Sequence, residues 1–410
     1  MNEFFAAAMR KAAQLTREQN LLEATKVIQR ALSGQDRAAP EHSGREKGPL
    51  LELQAEPAAT PVHVEKPAER VRPDRPHVAR NTRPLGEVLA NLRKFAHDFP
   101  QKLPNELTAP LARLRRAPAV PVPEGAAWLT RTFACEAGTR DYKLYIPSRK
   151  DGGKRTLIVM LHGCTQNADD FAVGAGMNRL AEQYGCVVAY PNQVIKANHM
   201  NCWNWFDPKD QTRDRGEPRI IAGITRALIT ELDLDPERVF VAGLSAGAAM
   251  AEVMGVTYPE LYAATGVHSG LPYGSATDAA SAFAAMSGGN QGRGPGKDRK
   301  AGVRTIIFHG TSDRVVHPSN GQAILDDFRA SLVGEETQID GTAGGRAFKR
   351  TVIADLTGVP RVERWAIEGL GHAWSGGSAE GSYTDPQGPD ASLEMLRFFL
   401  NDERPAPRIF

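Results

Sequence analysis

One stretch of the sequence decides the fold: Val239-Phe240-Val241-Ala242-Gly243-Leu244-Ser245-Ala246-Gly247-Ala248-Ala249-Met250. Its apolar start predicts a buried strand, and its alanine-rich end predicts a helix. Between them lies a G-x-S-x-G turn that lifts Ser245 above the sheet edge, with Gly243 and Gly247 leaving room for neighbouring backbone. A serine hydroxyl is a poor nucleophile at its free pKa, so this turn predicts a base close by.

Short apolar runs alternate with helical patterns on both sides of this stretch. We predict strands at residues 157–161, 187–190, 239–242, 264–267, 305–308 and 364–367, and helices at 219–231, 246–257 and 390–401. Residues 128–133 and 142–146 alternate like an antiparallel pair. Buried strands alternating with helices indicate the α/β class, here an α/β-hydrolase fold with a mostly parallel sheet and helices on both faces.

His372 is the predicted base, because in this fold the histidine follows the serine and the acid along the chain. It lies in a flexible loop, Gly369-Leu370-Gly371-His372-Ala373-Trp374, just after the last predicted strand. The other histidines that follow the serine are His268, His309 and His317. His309 directly ends a strand and His317 follows the predicted acid by four residues, so we interpret both as ordinary loop residues.

Asp313 is the predicted acid. It follows the strand at residues 305–308 on a turn, where a carboxylate can orient an imidazole and stabilise its cation. Asp278 lacks such a strand before it, and we interpret it as a helix-capping or turn aspartate.

Two backbone N–H groups are predicted to form an oxyanion hole, those of Ala246 and Cys164. Cys164 lies in the loop His162-Gly163-Cys164-Thr165-Gln166, which follows the first apolar strand. We also expect four side chains to contact substrate: Trp203, Trp205, Trp374 and Gln166. The tryptophans would form an apolar wall around the nucleophile; the alternative is that they pack against the sheet edge.

With these residues placed, residues 126–403 resemble the poly(3-hydroxybutyrate) depolymerase family of esterases in its non-permuted form. The motifs that carry the resemblance are His162-Gly163-Cys164-Thr165-Gln166, Cys202-Trp203-Asn204-Trp205-Phe206, Gly243-Leu244-Ser245-Ala246-Gly247, His309-Gly310-Thr311-Ser312-Asp313 and Gly371-His372-Ala373-Trp374-Ser375-Gly376-Gly377. The resemblance implies an acyl-enzyme hydrolase of short polyhydroxyalkanoates or of feruloyl or acetyl esters of plant polysaccharides. It also implies a disulfide between Cys164 and Cys202.

Composition narrows the classes of ligand. The formal net charge of the 410 residues is only +2, and no long basic stripe is present, which disfavours a nucleic acid partner. The four cysteines lack the paired spacing of a zinc site. The predicted serine, acid and base together with the family resemblance imply an ester substrate, and we expect neither a metal nor an organic cofactor.

The N-terminal third differs from the rest of the chain. Residues 1–33 are spaced as an amphipathic helix or helical hairpin, and residues 34–125 form a largely disordered linker rich in Pro, Arg and Glu, with a short helix at 85–98. A catalytic domain at 126–403 and a tail at 404–410 follow. We read no signal peptide, which points to the cytoplasm, where a disulfide would not persist, although the resembled family is often extracellular.

Two classes of function follow. The first is a carboxylic-ester hydrolase in which residues 1–33 mediate self-association or granule contact; stable membrane anchoring is disfavoured because this helix has few strongly apolar side chains. The second is a granule- or surface-binding protein with a vestigial hydrolase fold. Acyl-chain preference would depend on loops such as residues 275–299, which are Gly-rich and expected to be mobile.

Overall fold

A computed structural model of the protein describes residues 119–149, 153–289 and 303–400. The predicted helices at 1–33 and 85–98, the linker up to residue 118 and the tail at 404–410 lie outside these residues. The described chain begins slightly before residue 126, and Val120 packs against buried residues of the sheet domain. The last residues of the predicted linker therefore contact the folded domain.

The sheet contains ten strands in the described residues. They are β1 (Ala127–Cys135), β2 (Gly138–Ile146), β3 (Leu157–Leu161), β4 (Val187–Pro191), β5 (Val239–Leu244), β6 (Ala264–His268), β7 (Arg304–Gly310), β8 (Gly334–Ala343), β9 (Arg346–Asp355) and β10 (Pro360–Ile367). Their order is β1-β2-β4-β3-β5-β6-β7-β10-β9-β8. The six strands from β4 to β10 are parallel, and antiparallel pairs flank them on both sides. The parallel centre and the β1–β2 pair confirm the prediction.

Helices cover both faces of the sheet. They are α1 (Ala168–Ala175), α2 (Met177–Tyr184), α3 (Gly216–Glu231), α4 (Ala246–Thr257), α5 (Ala279–Met286), α6 (Ser319–Ser331) and α7 (Ala391–Leu400). One core lies between the sheet and α3 and α4, and a second lies between the sheet and α1, α2 and α7. Every residue of β3, β4, β5 and β6 is buried, as a sheet covered on both faces requires. None of the described helices is long and apolar enough to cross a membrane.

Two regions differ from the predicted pattern of strands and loops. The β8–β9 hairpin extends the sheet beyond β10, and most of β8 is exposed. Residues 279–286, expected to belong to a mobile loop, form α5 because Asp278 caps it: the carboxylate accepts the N–H of Ser281 at 2.7 Å. The rest of that loop, from residue 290 to 299, lies outside the described residues.

The parallel strands bring the predicted site residues to one edge. Leu161 pairs with Gly243 and Leu244 with His268, so β3, β5 and β6 end side by side. Ile367 likewise pairs with Gly310 where β10 and β7 end. The loops that carry Cys164, Ser245, Asp313 and His372 therefore all leave the same carboxyl edge of the sheet.

Candidate active site

Ser245 lies on the sharp turn between β5 and α4. Its backbone angles are φ 56° and ψ −119°, outside the regions that L-residues ordinarily occupy. A Cβ on Gly247 would lie 2.0 Å from the Leu161 carbonyl oxygen, and one on Gly243 would lie 2.4 Å from the Gly247 carbonyl carbon. The two glycines thus let the turn press against β3, and this contact stabilises the strained serine.

His372 and Asp313 are joined by a hydrogen bond of 2.8 Å between Nδ1 and Oδ2. The other Asp313 oxygen, Oδ1, accepts the N–H groups of Val315 and Val316, each at 2.9 Å. Burial opposes ionisation of Asp313, but the charge and hydrogen bond of His372 outweigh it and lower the pKa of Asp313 to about 2. Asp313 is therefore a carboxylate at neutral pH and can hold the imidazole with its proton on Nδ1.

His268 connects the Ser245 turn to the loop that follows His372. Its carbonyl oxygen accepts the Ser245 N–H at 2.9 Å, and its ring Nε2 accepts the Ser375 N–H at 3.0 Å. Burial is the main reason that its pKa is lowered to about 3, so the ring is neutral and Nε2 stays an acceptor.

Within the described residues, Ser245 Oγ itself forms no hydrogen bond; such contacts often tighten only once substrate binds.

The two remaining histidines that follow Ser245, His309 and His317, are held by contacts within the protein. His309 is buried, its Nε2 lies 2.8 Å from the Val316 carbonyl oxygen, and burial lowers its pKa to about 4. His317 is bound to Ser319 through Nδ1 at 2.8 Å. His317 agrees with its interpretation as an ordinary loop residue, whereas the same interpretation is wrong for His309, which lies within β7.

The loop of residues 162–166, here called the oxyanion loop, lies against the Ser245 turn. A Cβ on Gly163 would lie 3.6 Å from the Ser245 Cβ. The Gly163 N–H donates to Gln166 Oε1 and the Thr165 N–H to the Met200 carbonyl, whereas no backbone hydrogen bond among the described loops and turns uses the Cys164 N–H. Ala246 begins α4, where the N–H has no acceptor within the helix. The two predicted donors thus belong to two segments that contact each other beside Ser245.

Cys164 and Cys202 form a disulfide, with their Cα atoms 4.2 Å apart. The bridge ties the oxyanion loop to the segment that contains Trp203 and Asn204. Cys135 and Cys186 are free thiols.

Gln166 does not lie where a substrate contact was predicted. Its side chain is buried, and its Nε2 donates to Asp170 and to the Ser382 carbonyl, each at 3.0 Å, while Oε1 accepts from Gly163. Because its amide is satisfied within the protein, Gln166 holds the oxyanion loop in place and is not free to bind substrate.

The three tryptophans do not form an exposed wall. Trp203 and Trp374 are fully buried and Trp205 is 6% exposed. Trp374 stacks on the His268 ring at 5.0 Å, and Trp203 lies 5.8 Å from the His162 ring. The alternative of packing against the sheet is therefore correct, and the hydrophobic gain of burying large rings explains it.

Tyr383 is a neighbour of the site that no sequence pattern predicted. Its hydroxyl lies 2.8 Å from Thr165 Oγ1 in the oxyanion loop, and its carbonyl accepts the Trp374 N–H at 2.7 Å. It lies between the two short strands β11 (Trp374–Ser375) and β12 (Thr384–Asp385), which form a separate pair.

Among the described residues, no group of three or more His, Cys, Asp or Glu side chains could hold a metal ion.

A parallel sheet with a strained serine turn and an Asp–His pair at its carboxyl edge defines an α/β-hydrolase. The chain matches the family described as esterase PHB depolymerase over residues 140–351, more than half of its length. It belongs to this family.

Named relatives fall into two groups. Poly(3-hydroxyalkanoate) depolymerase C of Paucimonas lemoignei is 35% identical over 58% of this chain and 60% of the relative. Poly(3-hydroxybutyrate) depolymerase of Ralstonia pickettii is 30% identical over 55% of this chain and 49% of the relative. Feruloyl esterase B of Neurospora crassa is 29% identical over 52% of this chain and 76% of the relative. The chain thus spans about half to three fifths of the two depolymerases.

Proposed function

We propose that the protein is a serine carboxylic-ester hydrolase that acts through an acyl-enzyme. The observation that carries the proposal is the hydrogen bond between His372 Nδ1 and Asp313 Oδ2, at the same sheet edge as the Ser245 turn. This arrangement leaves His372 Nε2 to act as an acceptor, which is what a serine nucleophile needs.

In the proposed reaction, Ser245 Oγ attacks the ester carbonyl carbon and its proton passes to His372 Nε2. The Asp313 carboxylate stabilises the imidazolium, and the N–H groups of Cys164 and Ala246 donate to the oxyanion. Collapse breaks the ester C–O bond, and the imidazolium returns the proton to the leaving alcohol. Water, activated by His372, then releases the acid from Ser245 by the same steps.

We further propose short poly- or oligo-3-hydroxyalkanoates as substrates. The support is the identity of 35% and 30% to two depolymerases, against 29% to feruloyl esterase B and 32% to a probable acetylxylan esterase A of Aspergillus fumigatus. These values lie close together, so feruloyl or acetyl esters of plant polysaccharides form the alternative substrate class. Either class would be hydrolysed by the same Ser245, His372 and Asp313 and the same two N–H donors.

The domain arrangement is part of the proposal. Residues 126–403 would form the catalytic domain, and residues 1–33 would mediate self-association or granule contact through the linker at 34–125. Deleting residues 1–33 tests this role: we expect a smaller oligomer or weaker binding to polyhydroxybutyrate granules, with unchanged hydrolysis of a small ester. Unchanged oligomeric state and unchanged granule binding would contradict it.

A substrate panel tests the enzymatic function. Hydrolysis of p-nitrophenyl acetate and butyrate, a 3-hydroxybutyrate trimer and acetylated xylan should be compared for wild type and Ser245→Ala. We expect activity on the trimer and its loss in Ser245→Ala. Preference for acetylated xylan would favour the alternative substrate class, and the absence of hydrolysis on the whole panel would favour a binding protein.

A further inference from the structure

Glu217, at the start of α3, is a buried carboxylate outside the site described above. It is only 3% exposed. Its Oε2 accepts the Asn204 N–H at 2.7 Å, and its Oε1 accepts Asn204 Nδ2 at 2.8 Å and also Gln193 Nε2. Arg140 Nη2 lies 3.6 Å from the same Oε1. Each of these partners is a donor, so the surroundings match the ionised form of the carboxylate.

The first connection from Glu217 to the oxyanion loop runs through the disulfide. Asn204, which gives Glu217 two hydrogen bonds, is two residues after Cys202. Gln193 Nε2 also donates to the Cys202 carbonyl at 2.9 Å. Cys202 is bonded to Cys164, whose N–H is the proposed oxyanion donor. The carboxylate therefore holds the segment that anchors this donor.

The second connection runs through His162. The Gln193 N–H donates to His162 Nε2 at 3.1 Å, and His162 Nδ1 lies 2.8 Å from the Gly163 carbonyl oxygen. Burial lowers the pKa of His162 to about 4, so its ring is neutral and keeps this donor–acceptor pattern. Gln193, fixed by Glu217 and Arg140, thus also supports the residue before Cys164.

Glu217 is surrounded by charges of both signs. Burial and the neighbouring Asp210 raise the pKa of Glu217 to about 7, against the hydrogen bonds of Gln193 and Asn204 and the charge of Arg140. Asp210 accepts the Glu217 N–H at 2.8 Å, and Lys209 lies 3.9 Å from Asp210. A proton taken up by Glu217 would place an O–H opposite a donor and break one of the contacts.

We propose that Glu217 is a positioning residue: its carboxylate holds the Cys202–Asn204 segment and Gln193, and through them the Cys164 N–H that faces the oxyanion. This inference rests on the proposed function. It has a pH consequence, because protonation of Glu217 loosens the anchored loop and lowers turnover independently of His372. Because the pKa of Glu217 is raised to about 7 in the folded protein, the folded state binds this proton more tightly than the unfolded state does. The free energy of unfolding should therefore decrease as the pH rises through about 7.

The test uses the full chain with Glu217→Gln, which keeps the shape and removes the charge. With p-nitrophenyl butyrate at pH 8 we expect kcat to fall about tenfold with KM within about twofold, because a displaced donor weakens only the transition state. Below pH 7, log(kcat/KM) of wild type should fall more steeply than with a slope of one, reaching at most about 1.5, because enzyme with protonated Glu217 keeps about a tenth of its activity. In the variant, the slope should be about one.

Glu363→Gln is the matched control. Glu363 is equally buried and accepts Trp365 Nε1 at 2.7 Å and Arg350 Nη2 at 2.9 Å, but it lies on β10, away from the oxyanion loop. We expect a lower Tm, with kcat and the pH slope unchanged. A similar loss of kcat in both variants would mean that Glu217 acts only through general stability and would overturn the positioning role.

Two further outcomes separate the hypotheses. A wild-type slope of about one would overturn the proposal even if Glu217→Gln failed to fold, as would a Glu217→Gln enzyme with normal kcat and pH profile. The proposed function has its own readout, because Ser245→Ala must be inactive. If it is inactive while Glu217→Gln is normal, the positioning role alone fails.

Discussion

The two segments that meet at the proposed site are held by different forces. The Ser245 turn is fixed by backbone against backbone, with Gly247 pressed onto the Leu161 carbonyl. The oxyanion loop is fixed mainly by side chains, through the Cys164–Cys202 disulfide and the amide of Gln166, with one backbone hydrogen bond from Thr165 to Met200. The close packing of the Ser245 turn involves only neighbouring backbone and leaves no room for an added atom. The side-chain contacts of the oxyanion loop instead join it to residues far away in the sequence.

This difference predicts how each segment responds to change. A substitution in the turn should destabilise the whole domain, since β3, β5 and α4 lose their close approach together. A substitution around the oxyanion loop should leave the domain folded and reduce turnover, since the loop lies beyond the end of β3 and its side-chain contacts do not hold the strands together. The predictions below run from the largest expected effect to the smallest.

Gly247→Ala should destabilise the domain by at least about 3 kcal/mol, because the new Cβ meets backbone that cannot move aside. The closest atom would be the Leu161 carbonyl oxygen at 2.0 Å. Thermal unfolding of the soluble protein measures the effect. Gly153→Ala is the control, as a Cβ there would have no neighbour within 4 Å, and its Tm should not change. An unchanged Tm in Gly247→Ala would refute the steric account of the turn.

Gln166→Ala should lower kcat about tenfold, roughly 1.4 kcal/mol, with little change in KM. The Gly163 N–H loses its acceptor, so the oxyanion loop is no longer held toward Ser245. Steady-state kinetics with p-nitrophenyl butyrate measure the loss. Gln322→Ala removes a comparable but exposed hydrogen bond to Asp326 and should leave kcat unchanged. A change in KM alone would instead return Gln166 to the role of substrate contact.

Tyr383→Phe should lower kcat by about threefold or less, because it removes one neutral and exposed hydrogen bond, worth at most about 0.65 kcal/mol, from Thr165. Tyr273→Phe is the control: its hydroxyl donates to the Gln211 carbonyl at 3.0 Å, outside the oxyanion loop. The same kinetic assay separates the two. A loss of more than about a hundredfold in Tyr383→Phe would show that the hydroxyl takes part in the chemistry.

The sequence predicted what depends on local pattern. Short apolar runs predicted all six parallel strands, and the helix at 246–257 matches α4 residue for residue. The chain order of serine, acid and histidine led to Asp313 and His372, which the structure joins. The β8–β9 hairpin gave no such signal, because β8 is exposed along most of its length and lacks the alternation of a half-buried strand.

Contacts that depend on the tertiary fold could not be predicted. The sequence around a loop tryptophan is the same whether its side chain contacts substrate or packs in the core. Only the tertiary structure distinguishes the two, here through the packing of Trp374 on His268. Gln166 contacts Ser382, and Glu217 contacts Gln193, across separations in sequence that no spacing rule covers. These buried polar contacts arise wherever a group removed from water must find a partner.

The most direct test of the account is to identify the residue that becomes acylated. The full-length protein would be mixed with p-nitrophenyl butyrate, quenched in acid and digested, and the peptides analysed by mass spectrometry. We predict a butyryl group on the peptide that contains Ser245, absent from Ser245→Ala. Acylation at another residue, or continued hydrolysis by Ser245→Ala, would contradict the assignment of Ser245 as the nucleophile.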